Sequence, residues 1–205
     1  STRVNLGLFQ RDVSVISDLA VHDFSILDYL LGEQPTAVSA GGINHFPGTP
    51  ENLAYITMFY DSGAIAHVNC SWLAPVKVRT VLIGGAKKMF VYDDLQPSEK
   101  LKIYDKGVSF TDDPAKIYQM RVGYRTGDMW APKLDEGEAL KAGAKDFVEA
   151  IENKKQTLTH GRLGLGVAVL FGARGKGLHS ALSVGDSRHR HSCYELDWQG
   201  AAANG

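Results

Sequence analysis

The chain has 205 residues, a hydrophobic fraction of 44%, a charged fraction of 22% and a formal net charge of -1. That length supports one good core or at most two small domains, and the composition is ordinary for a globular protein. The near-neutral charge argues against nucleic acid or an anionic membrane as a partner, and no apolar run approaches the roughly 18 residues that a spanning helix needs.

The segment Ser1 to Leu8 holds a lone Arg3 and no apolar core, so it does not read as a secretory signal. From Ser14 to Leu31, apolar Ile16, Leu19, Ala20, Leu27, Leu30 and Leu31 recur at helical spacing. Asp12 or Ser14 can cap that helix, and Gly32 fits the position just past its end. Strands are then expected at Thr36 to Ile43, Leu53 to Tyr60 and Ala64 to Trp72, the last two joined by a turn at Asp61-Ser62-Gly63. In the third, Ala66, Val68, Cys70 and Trp72 alternate with Ile65, His67, Asn69 and Ser71, which separates an apolar face from a more polar one. Further strands are expected at Lys77 to Ile83, Lys88 to Tyr92 and Lys100 to Tyr104, with an edge strand around Ile117 to Val122. Helices follow at Glu136 to Asn153 and Gly161 to Leu178. The tail 183–205, rich in His and Arg, is expected to be disordered, leaving one domain over 1–182. This order predicts an α+β fold: an open, mostly antiparallel sheet with helices packed on one face and no Rossmann domain. The other sheet face is expected to be covered by a second copy of the chain.

Asp18 and His22 are the sharpest candidates for chemistry. Four residues apart on a helix, they share a face, and a carboxylate beside an imidazole suits proton transfer from a hydroxyl. An ordinary surface pair has the same spacing. Cys70 reads as a small buried residue, and His67 as part of a sheet face. His45 lies in a loop from which it could reach a pocket. His189, His191 and Cys193 lack the fourth ligand and the fixed scaffold of a closed zinc site, so no metal is expected. Two cysteines in all fit a reducing compartment, and cytoplasm is the expectation.

The run Asp18-Leu19-Ala20-Val21-His22-Asp23, followed by Ile26 to Gly32, resembles the Asp-x-x-x-His helix of the Gfo/Idh/MocA oxidoreductase family. Arg3 to Gln10 resembles the segment that enters that helix, and Val38-Ser39-Ala40-Gly41 its first sheet strand. Trp130-Ala131-Pro132-Lys133-Leu134-Asp135 is similar to members that act on nucleotide-linked sugars. Phe147 to Ile151 and Leu158 to Leu165 resemble the closing helices.

The resemblance implies an N-terminal Rossmann domain followed by a C-terminal α+β domain, and hydride transfer between NAD(P) and a sugar carbon. It implies that His22 and Asp18 stand near the reacting hydroxyl and that Arg3 and Asn5 touch substrate. Arg125 and Lys133 border an irregular loop, where they could meet a nucleotide-sugar phosphate. This chain departs from the family in three ways. It shows no strand, Gly-rich turn and helix start to bind a dinucleotide: Gly161 to Gly166 has the wrong spacing, and Gly172 to Gly177 fails as a phosphate loop. The Glu-Lys-Pro motif, with the family's catalytic lysine, is missing. Ser17 and Val21 stand where close relatives often carry Trp and Pro. The expectation is a substrate domain that does not turn over alone, binds no NAD(P) itself and relies on a separate Rossmann domain. The alternative is a free-standing carbohydrate-binding or oligomerisation module.

Overall fold

In a computed structural model of the chain, the described residues are 1–7, 11–110, 122–125, 127–134, 137–160, 164 and 189–195, without the side chains of 108–110, 122–125 and 189–195. In chain order the elements are β1 (Thr2–Leu6), a π-helical turn (Ile16–Ala20), α1 (Val21–Leu31), β2 (Ala37–Ile43), β3 (Leu53–Phe59), β4 (Ile65–Ser71), β5 (Leu73–Gly84), β6 (Met89–Asp93), β7 (Leu101–Tyr104), β8 (Gly107–Phe110), β9 (Val122–Arg125), β10 (Met129–Trp130), α2 (Ala139–Asn153) and β11 (His189–Glu195). Where one domain is expected over 1–182, the chain divides into two compact units: Ser1–Lys77 with Gly137–Gly205, and Val78–Glu136.

The first unit holds a sheet in the order β1-β4-β3-β2-β11. The β3–β4 hairpin and the β2–β3 pair run antiparallel in continuous register, and β1 joins β4 in parallel. The fold is therefore the expected α+β arrangement with a mostly antiparallel sheet. Alternation decides which face is buried. Ala54, Ile56 and Met58 of β3, with Ala66, Val68 and Cys70 of β4, turn inward against Val15, Ile16, Leu19, Ala20 and Phe24 of the helical segment. Tyr55, Phe59 and Ile65 turn the other way and stay exposed. Within the expected tail, His189–Glu195 pair antiparallel with β2, Cys193 opposite Ser39. The backbone of β2 thus has ladder partners on both sides.

The helix begins where its cap residue predicts. Ser14 Oγ accepts from the Ser17 N–H at 3.3 Å, and Gly32 ends α1 at φ 66°, a conformation that costs glycine little. The apolar stripe closes at Leu27, which packs against the core, whereas Leu30 and Leu31 are exposed. In α2 the Glu138 carboxylate accepts from the N–H groups of Leu140 and Lys141, at 2.9 and 2.6 Å. The amphipathic pattern read from Leu140 to Ile151 does form a helix, but Leu140, Phe147, Val148 and Ile151 remain exposed. Of the helix expected at Gly161 to Leu178, only Gly164 is described, and residues 117–121 of the expected edge strand also lie outside the described residues.

In the second unit, residues 78–84 of β5 lead the antiparallel order β5-β6-β7-β10, and β8 pairs with β9 as a separate ribbon. Asp94 accepts hydrogen bonds there from Arg79 and Tyr92. Lys88 Nζ lies 4.7 Å from the centre of the Trp130 ring.

Burial pushes the Cys70 thiol up to about 12, with the Asp23 charge adding to the effect. Essentially no thiolate forms at neutral pH, so Cys70 is expected to resist iodoacetamide in the folded chain and to react on unfolding. Peptide mapping by mass spectrometry checks this; alkylation of native Cys70 at the rate of a free cysteine would contradict it.

Candidate functional site

Asp18 lies in the π-helical turn and His22 in the first turn of α1, and both are exposed. No hydrogen bond or ion pair joins them among the described residues. Asp18 instead uses Oδ2 to accept from Trp72 Nε1 at 3.0 Å.

Trp72 is a site residue that the sequence reading leaves unassigned. It is 2% exposed and follows β4 directly. Its backbone N–H donates to Asn52 O and its carbonyl accepts from Gly7 N–H, each at 3.0 Å. A Cβ at Gly7 would fall 2.6 Å from Trp72 Cγ, so the indole lies against a backbone that carries no side chain there. The available signal was the terminal apolar residue of an alternating strand, a large aromatic whose N–H must find an acceptor when buried.

Arg3, expected against substrate, is engaged elsewhere. Its Nε and Nη2 donate to Asp23 Oδ2 and Oδ1 at 2.8 and 3.3 Å, and Ser1 Oγ donates to Oδ1 at 2.7 Å. The pair is 13% and 1% exposed. Asp23 stands four residues after Leu19 and four before Leu27, so it occupies the buried stripe of the helix. A carboxylate at such a position demands a cationic partner, and β1 supplies it.

Asn5 lies half-buried in β1. His45 Nδ1 is 2.6 Å from Oδ1 of Asn52, a residue with no exposed surface whose Nδ2 has no partner among the described residues. His67 keeps to the sheet face, with Nδ1 3.0 Å from Thr57 Oγ1 and its ring stacked on Tyr55. Lys133 is exposed on the second unit; Arg125 ends β9 there, its side chain outside the described residues. The side chains of His189, His191 and Cys193 also lie outside them. Among the described residues no group of three or more His, Cys, Asp or Glu could hold a metal ion, and no helix is long and apolar enough to cross a membrane.

Residues 9–91 match the GFO/IDH/MocA C-terminal domain. No curated protein matches the sequence. Among solved structures, a UDP-N-acetylglucosamine 3-dehydrogenase from Acidithiobacillus ferrooxidans shares 23% identity over 85% of this chain and 52% of its own, with a TM-score of 0.63. An oxidoreductase from Agrobacterium radiobacter, in complex with NAD+, L-tartaric acid and magnesium, shares 17% over 84% of this chain and 51% of its own, at 0.59. A levoglucosan dehydrogenase in complex with NADH shares 18% over 82% and 52%, at 0.58. At these identities the likeness is one of fold, and the chain spans about half the length of the structures it matches. The matched segment contains the Asp18 to His22 helix and the core strands, and over that stretch the chain is similar to the C-terminal domain of the GFO/IDH/MocA family.

Proposed function

We propose that this chain is the substrate-binding domain of an NAD(P)-dependent sugar or nucleotide-sugar dehydrogenase, with Asp18 and His22 meeting the hydroxyl that is oxidised. One observation carries the reading: within the stretch that matches the family's C-terminal domain, the same exposed helical segment presents a carboxylate held in place and an imidazole with no partner among the described residues. Oxidation of a secondary alcohol removes a proton from oxygen and a hydride from carbon. His22 takes the hydroxyl proton, and Asp18 accepts a hydrogen bond from a ligand hydroxyl and orients the sugar.

Asn5 is a further substrate contact in this reading. Arg3 serves Asp23. The described residues do not fit a dinucleotide. The passage from β1 into the helical segment carries Gly7 alone, where close approach to a pyrophosphate requires several glycines ahead of a helix start. Hydride chemistry belongs to the cofactor, and no step of it is assigned to this chain. A separate Rossmann domain, cytoplasmic location and self-association through the face bearing Tyr55, Phe59 and Ile65 belong to the same proposal.

Calorimetric titration with UDP-N-acetylglucosamine, simple sugars and NADH tests it. The nucleotide-sugar is expected to bind, and His22→Ala and Asp18→Ala are each expected to weaken it about tenfold or more, a loss of about 1.4 kcal/mol. NADH is expected to bind weaker than micromolar. Wild-type chain that ignores every sugar, or His22→Ala that binds as wild type does, would overturn the assignment.

A further inference from the structure

The helical segment carries two carboxylates with opposite surroundings. Asp23 is buried and has its charge cancelled by Arg3. Asp18 is exposed, and its one partner among the described residues is a neutral donor. An indole N–H donates but cannot accept, so it fixes a carboxylate oxygen without neutralising it and cannot take a proton from a ligand. Among the described residues only Oδ2 is engaged, which leaves Oδ1 for another donor.

We propose that Trp72 is the positioning residue for Asp18, pinning one oxygen so that the other is held ready for a ligand hydroxyl. The inference deepens the substrate-site reading and rests on it. An exposed aspartate with no fixed partner samples several rotamers, and a hydrogen bond from a rigid donor selects one of them. The donor is rigid here for three reasons visible in the fold. The indole is buried, so it cannot move without opening the core. Both backbone polar groups of Trp72 are tied, one to Asn52 and one to Gly7. Gly7 is also the space the ring occupies: a methyl group there would meet Trp72 Cγ at 2.6 Å and displace the indole from Asp18. Gly7, Asn52, Trp72 and Asp18 thus form one chain of contacts from β1 and the β3 entry to the exposed π turn. π turns of this kind recur where proteins present functional groups.

A purely structural account reads the same bond as satisfaction of a buried N–H. The two accounts separate in a double-mutant cycle on UDP-N-acetylglucosamine binding, with the Trp72 indole 15N–1H resonance as a second readout. Trp72→Phe removes the donor and keeps an aromatic ring. It is expected to weaken binding about tenfold, and Trp72→Phe with Asp18→Ala is expected to bind no more weakly than Asp18→Ala alone. The Trp72 indole resonance is expected to shift on ligand addition in the wild type, and to move in Asp18→Ala while staying near its original position in Asp18→Asn, which can still accept. Wild-type affinity in Trp72→Phe, or fully additive losses, would overturn the proposal. Should Trp72→Phe fail to fold, the indole resonance decides: no change in Asp18→Ala removes the bond on which the proposal stands. Wild-type chain that binds no sugar sinks the substrate reading instead, and the hold of Trp72 on Asp18 is then judged by that resonance alone.

Discussion

Asp23→Ala is expected to lower the unfolding free energy by about 3–5 kcal/mol, the range for removing one partner of a buried ion pair. Asp23 is 1% exposed and Arg3 13%, so little water reaches the pair. Taking away the carboxylate leaves the Arg3 guanidinium without its counter-charge and Ser1 Oγ without its acceptor. It also unties β1 from the helix that carries His22, the residue immediately before Asp23. The loss therefore reflects an abandoned charge more than the net strength of the bond. A consequence follows for a second variant. Arg3→Met with Asp23→Leu removes both charges and is expected to recover much of the stability, because no ion is left buried. Urea unfolding of the three proteins decides the matter. A loss below about 1 kcal/mol in Asp23→Ala, or a double variant as unstable as the single, contradicts the assigned burial.

The parts of this fold that were legible in the sequence are those where one local period dominates. β3 and β4 alternate around a Gly63 turn, and their inward and outward residues fall as that alternation requires up to Asn69; Ser71, read as outward, is buried. The Ser14 cap and the Gly32 stop act through their nearest neighbours, so they too can be read locally. β1 and β11 are harder, because their pairing partners lie far along the chain: Arg3 stands beside Cys70 and Cys193 beside Ser39. A five-residue segment such as Thr2 to Leu6 carries little signal of its own. The π turn is also invisible to a 3.6-residue template, and Asp18 turns to Trp72 instead of His22. Arg3 and Asp23 show the same limit for side chains. Their spacing of 20 residues says nothing, although a carboxylate on the apolar stripe between Leu19 and Leu27 already marks a missing partner. The residues that hold the candidate site in place come from three separate stretches, around Gly7, Asn52 and Trp72, and only the folded chain brings them together.

The two faces of the first unit's sheet predict opposite outcomes for substitutions of similar severity. Met58→Ala is expected to destabilise the chain by about 2–5 kcal/mol, since Met58 is 1% exposed and packs among Ile56, Val68 and the helical segment. The spread within that range depends on how far the flexible neighbours collapse into the cavity. Ile65→Lys changes an apolar side chain into a charged one, but Ile65 is 67% exposed on the other face. In an isolated chain it is expected to shift stability by no more than about 0.5 kcal/mol. Its effect should appear in assembly instead. Under the proposed self-association, Tyr55, Phe59 and Ile65 meet the same surface of a second copy, and a lysine at the centre of an apolar contact leaves a charge to be desolvated. Sedimentation velocity at matched concentrations is expected to show wild-type oligomer and Ile65→Lys monomer, with Met58→Ala unfolding earlier than either. Ile65→Lys that stays assembled moves the proposed interface off this face, whereas Ile65→Lys that unfolds as readily as Met58→Ala shows that the face is part of the core.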